Sequence, residues 1–199
     1  MKRHLLLSLS SLLLAASPVF AEDLNEIFTK VNEQVTKKNY SKALEELGWA
    51  RKELEKLHRE KLQSFFPSKL GDFSGGKFET NSALGFTNIE RTYSKGENTV
   101  RLSLAGESGG GQGLGGLAAL GKMAAMFGEQ AGQESFRIAG RTATLTQQEG
   151  SDSAELTIFL ESGSMLKLEQ SSGAQASALK ALAEKLDLSG LDGYLKGQA

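Results

Sequence analysis

The sequence predicts an α+β protein: an N-terminal α-helical hairpin followed by an antiparallel β-sheet packed by helices. Three observations carry this. Apolar residues recur at spacings of three and four between Leu24 and Leu57, the period of an amphipathic helix. From Val100 to Leu168 they alternate with polar residues in short runs, the period of a half-buried strand. The links between those runs are brief and rich in Gly, Ser and Asp, too short for the crossover that a parallel neighbour requires.

The hairpin is expected over residues 22–66. Asp23-Leu24-Asn25-Glu26 has the form of a capping box, an acceptor with Glu three residues later. Leu24, Ile27, Phe28, Val31 and Val35 then make one apolar stripe, and Glu26/Lys30 and Glu33/Lys37 are favourable i,i+4 pairs. Lys38-Asn39 is the expected turn. A second helix carries Tyr40, Ala43, Leu44, Leu47, Ala50, Leu54, Leu57 and Lys61. The expectation is that the two antiparallel helices bury these stripes against each other. Phe65-Phe66-Pro67 ends the second helix, because proline lacks the N–H donor and disfavours helix before it.

An antiparallel α+β domain is expected over residues 67–199. Gly71, Gly75 and Gly76 mark a loop. Leu84 to Tyr93 is a first strand whose apolar residues change parity, so a bulge is expected near Thr87-Asn88. Ser94 to Asn98 is a hairpin loop, and Val100, Leu102 and Leu104 form the returning strand. Four more strands centre on Phe136-Ile138, Ala143-Leu145, Leu156-Ile158-Leu160 and Leu166-Leu168, with Gly140-Arg141 among the turns. A helix over about 174–186 turns Leu179, Leu182, Ala183 and Leu186 inward, and Ser189 is the expected cap of a final turn carrying Leu191 and Leu195.

Residues 1–21 have a different character. Met1-Lys2-Arg3-His4 is basic, and Leu5 to Ala16 is almost wholly Leu, Ala and Ser. That apolar run falls short of the ~20 residues a membrane span needs and suits the core of a secretory signal. Ser17-Pro18 breaks it, and Val19-Phe20-Ala21 ends on a small residue. The expectation is a cleaved signal peptide, a mature chain starting at Glu22, and a periplasmic location with no transmembrane segment left. The sequence contains no cysteine, which rules out a thioether-linked lipoprotein and any disulfide. Discarding Lys2 and Arg3 moves the formal charge from −1 to −3, too small a bias to indicate a nucleic-acid or anionic-membrane partner.

Residues 106–116 form a Gly-rich loop that matches famous patterns without their chemistry. Gly106-Glu107-Ser108-Gly109-Gly110 fits the G-x-S-x-G nucleophile elbow. Its serine needs a base, yet the one histidine beyond the signal is His58, upstream of the serine where hydrolase order places it last. Gly111-Gln112-Gly113-Leu114-Gly115-Gly116 fits G-x-G-x-x-G, but antiparallel hairpins lack the βαβ unit of a dinucleotide site. Gly116 to Lys122 nearly fits a P-loop, with Met123 where Ser or Thr must bind magnesium. No metal-ligand spacing is present and no cofactor is expected. Glu45-Glu46 lies on a helix surface, a solvated position for paired carboxylates.

The remaining candidate contact site is an apolar helix over 114–127, with Leu114, Leu117, Leu120, Met123, Met126 and Phe127 spaced among Gly and Ala. Buried, it covers the sheet. Exposed, it contacts a hydrophobic ligand, a protein partner or the membrane surface, since small residues admit a close neighbour and Met adapts to varied surfaces.

Two resemblances accompany these readings. Asn39 to Leu47 resembles the start of one tetratricopeptide helix pair, with no second copy at the repeat period. Phe66-Pro67, Glu90-Arg91-Thr92-Tyr93, the Ala- and Met-rich central helix, Arg137 to Arg141 and Leu182 to Leu191 resemble uncharacterised exported proteins of Gram-negative bacteria. That resemblance implies a small periplasmic α+β domain and no activity. The function expected is a non-enzymatic binding or protein-interaction module of the cell envelope. A carrier or sensor of a hydrophobic ligand and a hydrolase using Ser108 are the alternatives. If residues 1–21 direct export, N-terminal sequencing of the chain from a periplasmic extract will begin at Glu22. A chain retaining Met1 in the cytosolic fraction would contradict it.

Overall fold

The computed structural model describes residues 23–83, 86–107, 132–147, 149–173 and 175–198. The chain divides into two compact units, Met1–Leu57 and His58–Ala199.

In the first unit, α1 (Leu24–Thr36) and the start of α2 (Tyr40–Gln63) form the helical hairpin. Lys38 makes the turn with φ 56°. Asp23 caps α1, but its carboxylate accepts from the Asn25 amide at 3.1 Å. Glu26 turns instead to Lys30, 3.6 Å away, so the expected reciprocal box does not close. The expectation of mutual stripe burial is also corrected. The hairpin's buried side chains are Ile27 and Val31 on α1 and Ala43 and Ala50 on α2. Phe28, Val35, Tyr40, Leu44, Leu47, Leu54 and Leu57 stay exposed. The reason is geometric: an apolar stripe ≳ 100° wide is broader than one neighbouring helix can cover. Among the described residues no helix is long and apolar enough to cross a membrane.

The second unit is built on an eight-stranded, wholly antiparallel sheet: β1 (Lys69–Leu70), β2 (Phe73–Ala83), β3 (Phe86–Lys95), β4 (Asn98–Glu107), β5 (Gln133–Ile138), β6 (Arg141–Thr146), β7 (Ala154–Phe159) and β8 (Met165–Gln170). The spatial order is β1-β2-β3-β4-β8-β7-β6-β5. Two four-stranded meanders therefore meet along β4 and β8, paired from Val100↔Gln170 to Ala105↔Met165. One face is the core. Its rows cross the sheet as Leu102, Leu168, Leu156 and Leu145, and as Ile89, Leu104, Leu166, Ile158 and Ala143. All of these are buried, and each large aliphatic side chain contributes about 1.5–3 kcal/mol on burial. Two helices, α3 (Ala176–Ala183) and α4 (Leu188–Leu195), add Leu179, Leu182, Leu188 and Leu191 to the same core, with Leu62 and Phe66 from the end of α2 and the turn after it.

Four local expectations change. Residues 73–83 are a strand, so Gly75 and Gly76 lie within β2 and not in a loop. The bulge is there too, between Gly75 and Phe78, whereas Asn81↔Asn88 and Ser82↔Thr87 pair in regular register. Gly75 leaves room for the Arg91 side chain there, since a Cβ would come 2.6 Å from Arg91 Nε. The cap of α4 is Asp187, not Ser189: the Asp187 carboxylate accepts from the Gly190 amide at 2.9 Å. The turn placed at Gly140-Arg141 is Ala139-Gly140, with φ 46° and 80°, and Arg141 opens β6.

Asp192 ties α4 to the sheet. It is fully buried, and Arg141 beside it is 9% exposed at the side chain. Arg141 Nε donates to Asp192 Oδ2 at 3.0 Å. The amides of Glu161 and Ser162, in the turn after β7, donate to the two carboxylate oxygens at 3.1 and 2.9 Å. Burial is the largest single influence and opposes ionisation. The Ser162 and Glu161 amides and the Arg141 guanidinium together outweigh it and hold the carboxyl below its usual range. Arg141 Nη1 also donates to the Ala139 carbonyl at 2.7 Å, fixing the β5–β6 turn to the same carboxylate.

Asp192→Asn removes the counter-charge of a buried guanidinium and should cost about 3–5 kcal/mol in chemical denaturation at neutral pH. Because the folded carboxyl is depressed, its contribution is complete above the ordinary value of ~3.9 and drains as pH falls below it. The gap between wild type and variant should therefore close in acid. A neutral-pH loss below about 1 kcal/mol, a typical single hydrogen bond, would contradict this role.

Candidate functional site

The residues singled out for contact, Leu114, Leu117, Leu120, Met123, Met126 and Phe127, lie outside the described residues, as does Ser108. Gly106, which opens the G-x-S-x-G match, lies in β4. A Cβ there would meet Ser164 Oγ at 2.9 Å, so a packing constraint explains this glycine. His58 sits near the end of α2 and shares a 2.6 Å hydrogen bond between its Nδ1 and the Tyr194 hydroxyl of α4. The two rings stack with centroids 5.4 Å apart, and Phe65 lies 5.9 Å from Tyr194 on centroids. Burial raises the Tyr194 phenol above its ordinary value. This cluster joins the end of α2 to α4, and its hydrogen bond occupies one nitrogen that general-base work would use. Glu45 is exposed and Glu46 half-buried on α2.

Two surfaces invite contact. The first is the wet face of the sheet, where the directly paired residues Thr92, Arg101, Glu169, Glu155 and Thr146 form one row across β3, β4, β8, β7 and β6. With Thr99, Ser151 and Ser153 they border an open concavity of about 470 Å³. Glu155 and Glu169 face each other directly, an arrangement that repels on its own. Lys167 Nζ reaches both, at 3.2 and 3.6 Å, and Arg101 lies 3.8 Å from Glu169. The charges compensate one another at exposed positions, where each pair contributes ~0–1 kcal/mol. The concavity is a solvated ion-pair lattice, open and internally neutralised.

The second surface is the apolar flank of the hairpin. At ~100° per residue, Phe28 and Val35 lie on one side of α1 next to Ile27 and Val31. Tyr40, Leu44, Leu47 and Leu54 lie on one side of α2 next to Ala43 and Ala50. The helices run antiparallel, so both flanks turn to the same side of the hairpin. Leu44 is 69% exposed and Tyr40 61%. Apart from this face, Trp49 projects elsewhere and carries the Lys52 ammonium 4.3 Å over its ring. A grouped set of large apolar side chains in water marks a contact surface far more specifically than a scattered one. The stripe was legible in the sequence, but its exposure was not, because periodicity alone does not say how many neighbours a helix has.

Other perturbed or conspicuous groups serve the fold. Arg91 donates from Nε to the Gly76 carbonyl at 2.9 Å and from Nη1 to the Phe66 and Pro67 carbonyls at 2.8 and 3.2 Å. It secures the chain leaving α2 to the bulged strand. Tyr93, paired with Gly75 across the same ladder, is fully buried, and among the described residues its hydroxyl has no hydrogen-bond partner. Desolvation pushes its phenol up to about 12. Comparison with family models, curated proteins and solved structures gave no match.

The buried, unpartnered hydroxyl yields a prediction with two readouts. Tyr93→Phe removes a polar atom that pays desolvation with no bond in return, so stability at neutral pH should hold or rise by about 1 kcal/mol. A phenol raised on folding protects the native state below its unfolded value and loses that contribution between pH ~10 and about 12. Wild type should thus lose stability across that window more steeply than the variant in denaturant titrations. A variant destabilised by more than 1–2 kcal/mol would place an unseen partner on the hydroxyl.

Proposed function

We propose that this protein is an exported, periplasmic protein-interaction module that engages its partner through the apolar flank of the helical hairpin. The observation that carries the reading is the grouping of Phe28, Val35, Tyr40, Leu44, Leu47 and Leu54 on one side of two helices, all exposed. Water around such a face is released on docking, which favours association in proportion to the apolar area covered. Export is supported by the composition of residues 1–21. The sheet unit acts as a stable base, closed by its own helices and by the Asp192 clamp.

A photoreactive residue placed at Leu44 in living cells should give a discrete crosslinked product. The same residue at Lys167, on the wet face of the sheet, should give none. Equal, diffuse labelling from both positions would count against the hairpin as the contact surface.

A further inference from the structure

We infer that the occupant of the hairpin's apolar flank is a second copy of the same flank, so that two hairpins associate about a two-fold axis as an antiparallel four-helix bundle. This rests on the reading of the flank as a contact surface and names its partner.

Three observations favour a self-complementary face. The first is where size is placed. Within the hairpin the buried positions of α2 are Ala43 and Ala50, while Tyr40, Leu44, Leu47 and Leu54 project outward. The outward set follows the alternating four- and three-residue spacing of a helix–helix seam, interrupted at Arg51. A two-helix face covered by an identical face closes into a bundle, with every apolar stripe given two neighbours.

The second is the rim. Across a two-fold axis each group near the axis meets its own copy, so a rim of one charge repels itself. The α1 rim beside the flank is Asn25, Thr29, Asn32 and Thr36, with no charged residue, while Glu26, Lys30, Glu33 and Lys37 lie on the far side of the helix. Thr29 and Thr36 already donate to the carbonyls of Asn25 and Asn32, each at 2.9 Å, so their donors stay satisfied when water leaves. On α2 the charge within the seam, Arg51, is paired with Glu55 beside it at 2.8 Å. Gly48 lies on the same rim with open space where a Cβ would stand, which admits a close helix.

The third is area. Large side chains carry roughly 150–250 Å² when aromatic and somewhat less when aliphatic. Six of them, 40–69% exposed, therefore offer on the order of 500 Å² per chain. Two copies would cover about 1,000 Å² of apolar surface, the larger part of a standard interface of ~1,600 Å².

The test uses the mature chain, residues 22–199. Sedimentation equilibrium at micromolar concentration should give twice the chain mass, and Leu44→Glu should return it to the single-chain mass with an unchanged far-UV circular dichroism spectrum. The absence of cysteine permits a second, independent reading. Leu47→Cys, near the middle of the seam, should oxidise to a symmetric disulfide dimer, and Glu45→Cys on the opposite side should not. Single-chain mass for the wild type with no Leu47→Cys dimer overturns the inference. If Leu44 then still captures one different protein in cells, the contact surface stands and its partner is another chain. If Leu44 captures nothing, the contact surface falls as well.

Discussion

The β4–β8 ladder is the constraint on which the rest of the sheet unit depends. Each meander forms from local hairpins, and either alone would expose one long unpaired edge. Pairing Val100 through Ala105 with Met165 through Gln170 joins them. It aligns the core rows of both halves into one apolar face wide enough for α3 and α4 to cover. It also fixes register: a slip of one residue would turn Leu102, Leu104, Leu166 and Leu168 to water. The link is non-local, so its formation is slow relative to the hairpins on either side.

Given that ladder, the polar joints explain which residues the fold spends on specificity. Asp192 gathers three separate chain segments, α4, the β5–β6 turn and the turn after β7, onto one carboxylate. Arg91 does the same for the end of α2 and the bulge in β2. Each draws backbone carbonyls or amides that helix and sheet leave unpaired into a satisfied network, the condition under which buried polarity strengthens a fold. Arg91 and Arg141 lie within the stretches of sequence that carry a resemblance to exported proteins. Their work is architectural, and no ligand is needed to account for it.

The hairpin obeys a different logic. Its inner contacts are small and its outer flank is large and apolar, so it is stabilised incompletely by itself. A surface helix usually turns charge outward. Here the i,i+4 pairs Glu26–Lys30 and Glu33–Lys37 occupy one side of α1 and leave the other to Phe28 and Val35. That asymmetry is the observation on which the proposed docking rests.

Local periodicity was enough to determine the α+β class, the helical hairpin, the antiparallel pairing of sequential strands and most of the core: Val100, Leu102, Leu104, Leu156, Ile158, Leu166, Leu168, Leu179 and Leu182 are all buried as their spacing required. These properties follow from side-chain direction along a helix or strand, which the sequence encodes within a few residues. The strand Phe73–Ala83 was missed because glycines 75 and 76 and alternating polar residues hide it, and the bulge moved with it. Tertiary structure alone decided that β4 meets β8, that Asp192 rather than a surface carboxylate is the buried charge, and that the apolar flank of the hairpin faces water. Each of these depends on which distant segment arrives as a neighbour, and pairwise geometry between segments far apart in the chain leaves no period for a sequence to show.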